Sequence, residues 1–228
     1  AGLRGDARAE VLVDRTPPTK PNSGPEVVAR WSDMGRTIDR LIPSPTNADS
    51  CVPASAGLVA LDGSALTDDQ SSIATYEFLF GDGSISRHST LSLLSLGTDF
   101  LISLSSDASS LPVRVRACNP LQMCATGEML LHFMHPPPPA AIELAVARRR
   151  TDGHHFLAHD ALSASWSVEG TGSFPGGLSY EVCLGTTPYG CQASPFAPST
   201  GLFKVLSIPR SCGSTYYVTV RATNCAGL

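Results

Sequence analysis

Tyr216-Tyr217-Val218-Thr219-Val220-Arg221-Ala222-Thr223-Asn224 is the stretch on which the fold turns. Tyr216, Val218, Val220 and Ala222 alternate with Tyr217, Thr219, Arg221 and Thr223, and a period of two marks a strand with one buried face. The first set is expected to point inward, and Tyr217 and Arg221 outward. A slip of one residue would exchange the sets, because side chains alternate faces. Nearly the same wording stands 105 residues upstream as Val115-Arg116-Ala117-Cys118-Asn119. Tyr76-Glu77 returns as Tyr180-Glu181, and Leu58-Val59-Ala60 returns as Leu162-Ser163-Ala164, both 104 residues on. Three landmarks in one order at nearly one offset define two homologous units of about 105 residues.

Working outward, Leu111, Val113, Val115 and Ala117 alternate in the first copy, and Leu162, Ala164 and Trp166 alternate in the second. Val11 to Val13, Glu26 to Trp31, Ile73 to Phe80, Phe100 to Leu104 and Gly127 to Phe133 read as further strands. Turn residues separate them, and no capped amphipathic helix of ten or more residues stands out. Short strands at this spacing predict an all-β chain of two tandem immunoglobulin-like β-sandwiches.

Proline marks the boundaries: Thr16-Pro17-Pro18 before the first unit, His135 and Pro136 to Pro139 before the second. Such runs favour extended polyproline II, a semi-rigid spacer. Residues 1–16 are read as the last strand of a preceding repeat plus linker, 17–134 as module 1 and 135–228 as module 2. Ala1-Gly2-Leu3 repeats as Ala226-Gly227-Leu228, so the expectation is a slice of a longer array, with the last strand of module 2 beyond Leu228. Between Ser32 and Ser50 a long polar, proline-containing loop is expected.

Composition excludes some functions. Sixteen Lys+Arg against 20 Asp+Glu leave a formal charge of −4, with no positive field to displace phosphate counterions, so no nucleic acid is expected as a partner. No apolar run approaches the ~20 residues of a bilayer crossing. Seven cysteines without a Cys-x-x-Cys pair suit disulfides in an oxidising compartment better than a zinc or redox site. The motifs of a phosphate-binding loop, a zinc protease and a serine hydrolase are absent, so no enzyme and no cofactor are expected.

Tyr216-x-Val218-x-Val220-x-Ala222-x-Asn224 resembles strand F of fibronectin type III modules, with a corner Tyr and an Asn opening the F–G turn. Leu162-x-Ala164-x-Trp166 is similar to that family's strand B with its core Trp. In the first copy Leu111 replaces the Tyr and Asp62 the Trp, and Trp31 is a rival for that core position. Phe80-Gly81-Asp82-Gly83 resembles the signature of polycystic-kidney-disease modules, which implies the same architecture. The wording also resembles tandem repeats of large algal and protist surface proteins, including mastigonemes. These resemblances imply a structural repeat of a long extracellular or cell-surface protein, the ciliary surface included. Its partners would be copies or neighbouring repeats of the same assembly. The alternatives are a cell-adhesion or receptor module and an accessory module of a secreted glycan-processing enzyme.

The strand order of the resembled family implies the disulfides. Cys118 and Cys124 would flank the F–G turn, and Cys183 and Cys191 the C–C′ turn. Head-to-tail stacking of the family's poles would bring Cys51 of module 1 to Cys225 of module 2, leaving Cys212 over. Cys212 pairing with Cys183 or Cys191 is the competing arrangement. Arg4-Gly5-Asp6 spells an integrin-binding tripeptide. His154, His155 and His159 near Arg148 to Arg150 read as a solvated loop rather than a metal site. Asp62, Asp68 and Asp69 read as turn chemistry rather than calcium ligands, because three carboxylates fall short of calcium's six to eight oxygens.

Overall fold

The computed structural model describes residues 14–22, 25–33, 36–37, 49–105, 109–145, 148–149, 155–156, 161–169, 174–208 and 213–228. The chain divides into two compact units. One is built mainly from Gly57–Leu131, the other from His132–Leu228 together with Ser50–Ala56. The first ten elements are β1 (Val28–Asp33), β2 (Arg36–Thr37), β3 (Asp49–Pro53), β4 (Leu58–Asp62), β5 (Thr75–Phe80), β6 (Ile85–Ser89), β7 (Leu93–Gly97), α1 (Thr98–Ser103), β8 (Ser110–Cys118) and β9 (Cys124–Met134). There follow β10 (Ala141–Ala145), β11 (Arg148–Arg149), β12 (His155–Phe156), β13 (Ala161–Ser167), β14 (Ser179–Gly185), β15 (Ser194–Ser199), β16 (Phe203–Ser207) and β17 (Tyr217–Thr223). The protein is an all-β sandwich protein.

The first unit holds a sheet ordered β2-β1-β4-β7 and another in which β9, β8, β5 and β6 follow in order. In the second, β10-β13-β16 packs with β15-β14-β17. Alternation builds each core. Val59 and Leu61 of β4, Phe78 and Phe80 of β5, and Val113 and Val115 of β8 point inward and are fully buried. Trp166, Tyr180, Val182, Leu184 and Leu206 fill the second core, with the Trp166 and Tyr180 rings 5.8 Å apart at 54°. Burying each such side chain is worth roughly 1.5–3 kcal/mol, so these faces dominate folding.

The internal repeat survives as identical strand pairing. Tyr76 lies opposite Ala117, and Tyr180 opposite Ala222. Glu77 then faces Arg116 across the first sheet, as Glu181 faces Arg221 in the second, with charged groups 3.7 and 3.5 Å apart. Both pairs are exposed and contribute little stability. Tyr216 is half-buried and packs against the core, while Tyr217 is 38% exposed, in the expected sense.

Three sequence expectations need correction. Phe100 to Leu104 is not a strand but most of α1, and the strand lies just before it, at β7. The run Phe100-Leu101-Ile102 is apolar throughout, and such a run carries no period to separate helix from strand. Thr98 and Leu101, three apart, bury one helical face, leaving the Phe100 ring under the Arg87 guanidinium at 5.5 Å.

Strand β4 is the second correction. Gly63, not Asp62, occupies the inward position of Trp166, its N–H donating to the Ser92 carbonyl as that of Trp166 donates to Leu202, and Leu58 points outward, 51% exposed. The 104-residue match of Leu58 to Leu162 is therefore one residue out of structural register and reverses the faces. Trp31 pairs with Val59 on the same inward side but is only half-buried.

Third, the segment from Ser32 to Ser50 is not wholly loop. It contains β2, paired Ser32 to Thr37, and the start of β3. Polar and proline residues there hid the strands, because neither makes an alternating apolar face.

Candidate functional site

Asn119 and Asn224 each organise the turn that follows the second strand landmark, and they do so in the same way. The Asn119 side-chain oxygen accepts from the Leu121 and Met123 N–H groups at 3.1 and 3.0 Å, and its backbone N–H donates to the Met123 carbonyl. The Asn224 oxygen accepts from Ala226 and Leu228 at 3.0 and 3.1 Å, and its N–H donates to the Leu228 carbonyl. The fourth residue of each turn has positive φ, Gln122 at 62° and Gly227 at 79°. Only glycine adopts that region without steric cost, so the side-chain bonds help hold Gln122 there.

The amide nitrogen of each asparagine then ties the turn to the segment leading into its unit. Asn119 Nδ2 donates to Asp14 at 2.7 Å, to the Thr16 carbonyl at 3.3 Å and to Asp68 at 3.3 Å. Asn224 Nδ2 donates to the His135 carbonyl at 2.8 Å. Asp14 also accepts from Thr16 N–H and Ser71 Oγ, which accounts for its burial. Asp68 accepts from the Ser71 and Gln70 N–H groups, and these bonds, Ser71's foremost, hold its carboxyl below the ordinary aspartate value. Its contribution to stability is present above the usual carboxylate range and is lost as pH falls through the lowered value.

Of the carboxylates considered for calcium, Asp68 is thus engaged otherwise, and Asp62 accepts from Ser64 N–H and lies 3.8 Å from Arg30. Among the described residues no cluster of His, Cys, Asp or Glu is arranged to hold a metal. Arg148 and Arg149 pair with Phe156 and His155 as a short antiparallel ribbon rather than a plain loop, described for backbone alone. Arg150, His154, His159 and the tripeptide Arg4, Gly5, Asp6 lie outside the described residues.

All six cysteines among the described residues pair. Cys118–Cys124 spans 4.1 Å between Cα atoms across the Asn119 turn, and Cys183–Cys191 spans 5.3 Å across the β14–β15 connection. Cys51–Cys225 spans 5.7 Å and joins residues 174 apart in sequence. Cys51 lies on β3, and Ser50–Ala56 groups with the second unit. The pairing expected for Cys51 and Cys225 is thus present, and Cys212 is not needed to account for either partner. Cys212 lies outside the described residues.

Trypsin cleaves after Arg and Lys, so only this third bond should join separate peptides, residues 41–87 and 222–228, with the other two bonds internal. Mass spectrometry of the unreduced digest checks this; 211–221 joined to 222–228 would place Cys212 in the bond instead.

The β14–β15 connection is packed too tightly for a side chain at Gly185, where a Cβ would run into the Gly190 carbonyl. Gly185→Ala is expected to cost about 1–3 kcal/mol through that clash. Gly201→Ala, with nothing within 4 Å of a new Cβ, should stay near wild type, and urea unfolding of both compares them. At the tip of this connection Tyr189 is 89% exposed.

Strand edges are the remaining surfaces. Lys204 of β16 lies opposite buried Ala164 and is directed across the sandwich, donating to the Ala197 and Pro198 carbonyls at 3.0 and 2.8 Å. An inward lysine on an edge strand satisfies neighbouring carbonyls and discourages pairing there. Strand β17 differs. It pairs with β14 on one side and, among the described residues, with no strand on the other, whereas β8 is flanked by β5 and β9. Val113, Val115 and Ala117 of β8 are fully buried; Val218, Val220 and Ala222, 105 residues on, are only half-buried.

No family model matches the chain, and no curated protein matches it. Among solved structures it is similar to a chain from a 1.5-MDa bacterial ice-binding adhesin, a work concerned with host cell surface retention. The identity is 9% and the TM-score 0.32, over 89% of this chain and 64% of the other.

Proposed function

We propose that this chain is a non-catalytic structural and interaction segment of a long extracellular protein. Its fibronectin-III-like modules would set spacing and offer packing surfaces in a surface or filamentous assembly, ciliary appendages included. The observation that carries this reading is the duplication itself: two units with the same strand pairing and the same asparagine-held turn. Repetition of one scaffold multiplies length and contact surface, which suits a spacer. Three disulfides support an oxidising, extracellular location. The partners would be other copies or neighbouring repeats.

The test combines antibody labelling of unpermeabilised source cells with cross-linking mass spectrometry of the native assembly. Surface labelling and cross-links between copies or repeats are expected. Labelling only after permeabilisation, or cross-links confined to unrelated proteins, would overturn the reading.

A further inference from the structure

We propose that the outer face of the β15-β14-β17 sheet binds a neutral glycan through the rings of Tyr189, Tyr217 and Phe196.

All three aromatics belong to this face of the second unit. Tyr217 and Arg221 alternate outward on β17, opposite Gly185 and Glu181 of β14. The Arg221 guanidinium lies over the Phe196 ring at 4.0 Å and stands 3.5 Å from the Glu181 carboxylate, so two neighbouring strands fix it. At the Tyr217 end the chain folds back over the sheet: the Gly190 carbonyl closes on Gly185, and Cys191 is bonded to Cys183. Tyr189, next to Gly190 and 89% exposed, is thereby held at the same end of the face as Tyr217.

The scaffold does not require these residues. The first unit pairs its strands in the same way, with Pro112 in the place of Tyr217 and Ser86 in the place of Phe196. Pro112 and Arg116 stay exposed although β8 is flanked on both sides, so this outward face is open whatever stands at the strand edge. The turn does not ask for Tyr189 either. Gly190 N–H donates to the Thr187 carbonyl at 3.0 Å, with Pro188 second in the turn and Tyr189 third at φ 60°. Positive φ at the third position marks a type II turn, where glycine is favoured and a bulky side chain is strained. A ring left in water offsets none of that strain within the chain, and strain of this kind is a mark of ligand contacts.

The chemistry of the face selects the ligand. Residues 182–203 contain no Asp, Glu, Lys, Arg or His, so the connection and β15 offer nothing to a charged partner. The face is also small. Three strands of six or seven residues, spaced about 4.8 Å apart and rising ~3.3 Å per residue, give roughly 300 Å². A stable protein interface takes about 800 Å² from each partner. An oligosaccharide of a few residues fits that area. Its pyranose C–H faces stack on aromatic rings, and its hydroxyls bond to side chains already fixed in place. Arg221 is one, and the exposed Gln192 amide, held by Thr186 N–H and Thr187 Oγ at 3.1 and 2.9 Å, is another.

The experiment titrates the chain, carbon-13-labelled in its aromatic rings, with cellohexaose, laminarihexaose and mannohexaose, followed by nuclear magnetic resonance. At least one hexasaccharide should shift the Tyr189, Tyr217 and Phe196 ring signals saturably. Tyr189→Gly should weaken that binding at least tenfold yet melt no lower than the parent chain, because glycine suits the turn. Tyr217→Ser should also weaken binding at least tenfold.

No saturable shift with any of the three sugars, or binding that leaves these rings unmoved, would overturn the proposal. Undiminished affinity in Tyr189→Gly would do the same. Ring signals that change with protein concentration in the absence of sugar would assign the face to a second copy of the chain instead.

Discussion

Trp166→Ala is expected to destabilise the second unit by about 3–5 kcal/mol, the cost of an aromatic-to-alanine cavity in a packed core. Trp166 is 4% exposed and meets Tyr180, Val182 and Leu206 at the centre of the smaller sandwich. That unit has few other large residues to close the gap, so little of the cavity would collapse. Trp166→Phe separates packing from hydrogen bonding. Among the described residues the buried indole Nε1 has no partner, so phenylalanine gives up no hydrogen bond there and removes an unsatisfied donor. The Phe variant should therefore lose well under half of what the Ala variant loses. Urea titrations followed by far-ultraviolet circular dichroism compare the two; equal losses would show that the indole ring is not what fills the core.

Asn119→Ala is expected to cost about 3 kcal/mol. It strips the acceptor from two turn N–H groups and leaves the buried Asp14 carboxylate without its amide donor, and each unsatisfied buried group is worth roughly 1–3 kcal/mol. Asn119→Asp keeps an acceptor oxygen but places a third carboxylate against Asp14 and Asp68. Like charges at that range raise the pKa of the new group. Its destabilisation should be greatest at neutral pH and should shrink as pH falls and the introduced carboxyl is protonated. Asn224→Asp, facing the His135 carbonyl instead, should show a weaker pH dependence. Thermal melts of the three variants across pH 4 to 8, roughly the range over which a raised carboxyl titrates, read this directly. A pH-independent loss for Asn119→Asp would contradict the network.

Much of the architecture was legible because its signals are local. Alternation at Tyr216 to Thr223 and the paired landmarks 104 and 105 residues apart do not depend on long-range contacts. The faces of β4 were not legible. Leu58-Val59-Ala60-Leu61 is apolar at every position, so the sequence leaves the choice between two registers to packing against β1 and β7. α1 was missed for a related reason, since a continuous apolar run has no period. The turn asparagines could be located by repetition, but the partners of their amide nitrogens could not. Asp14 lies 105 residues from Asn119, and in the second unit a backbone carbonyl does the same work. Lys204 was equally hidden, because nothing in a single strand announces that an edge lysine is directed inward.

The bond between Cys51 and Cys225 has a mechanical consequence. If the chain is pulled from its ends, tension passes through that covalent link and bypasses the residues between them, 174 apart in sequence. Even with every strand undone, the loop stays out of the load path. Reduction would release it, adding on the order of 600 Å of contour length at ~3.5 Å per residue. Oxidised, only residues 1–50 and 226–228 of this stretch extend under load, with the rest of its length held in reserve behind one sulfur–sulfur bond.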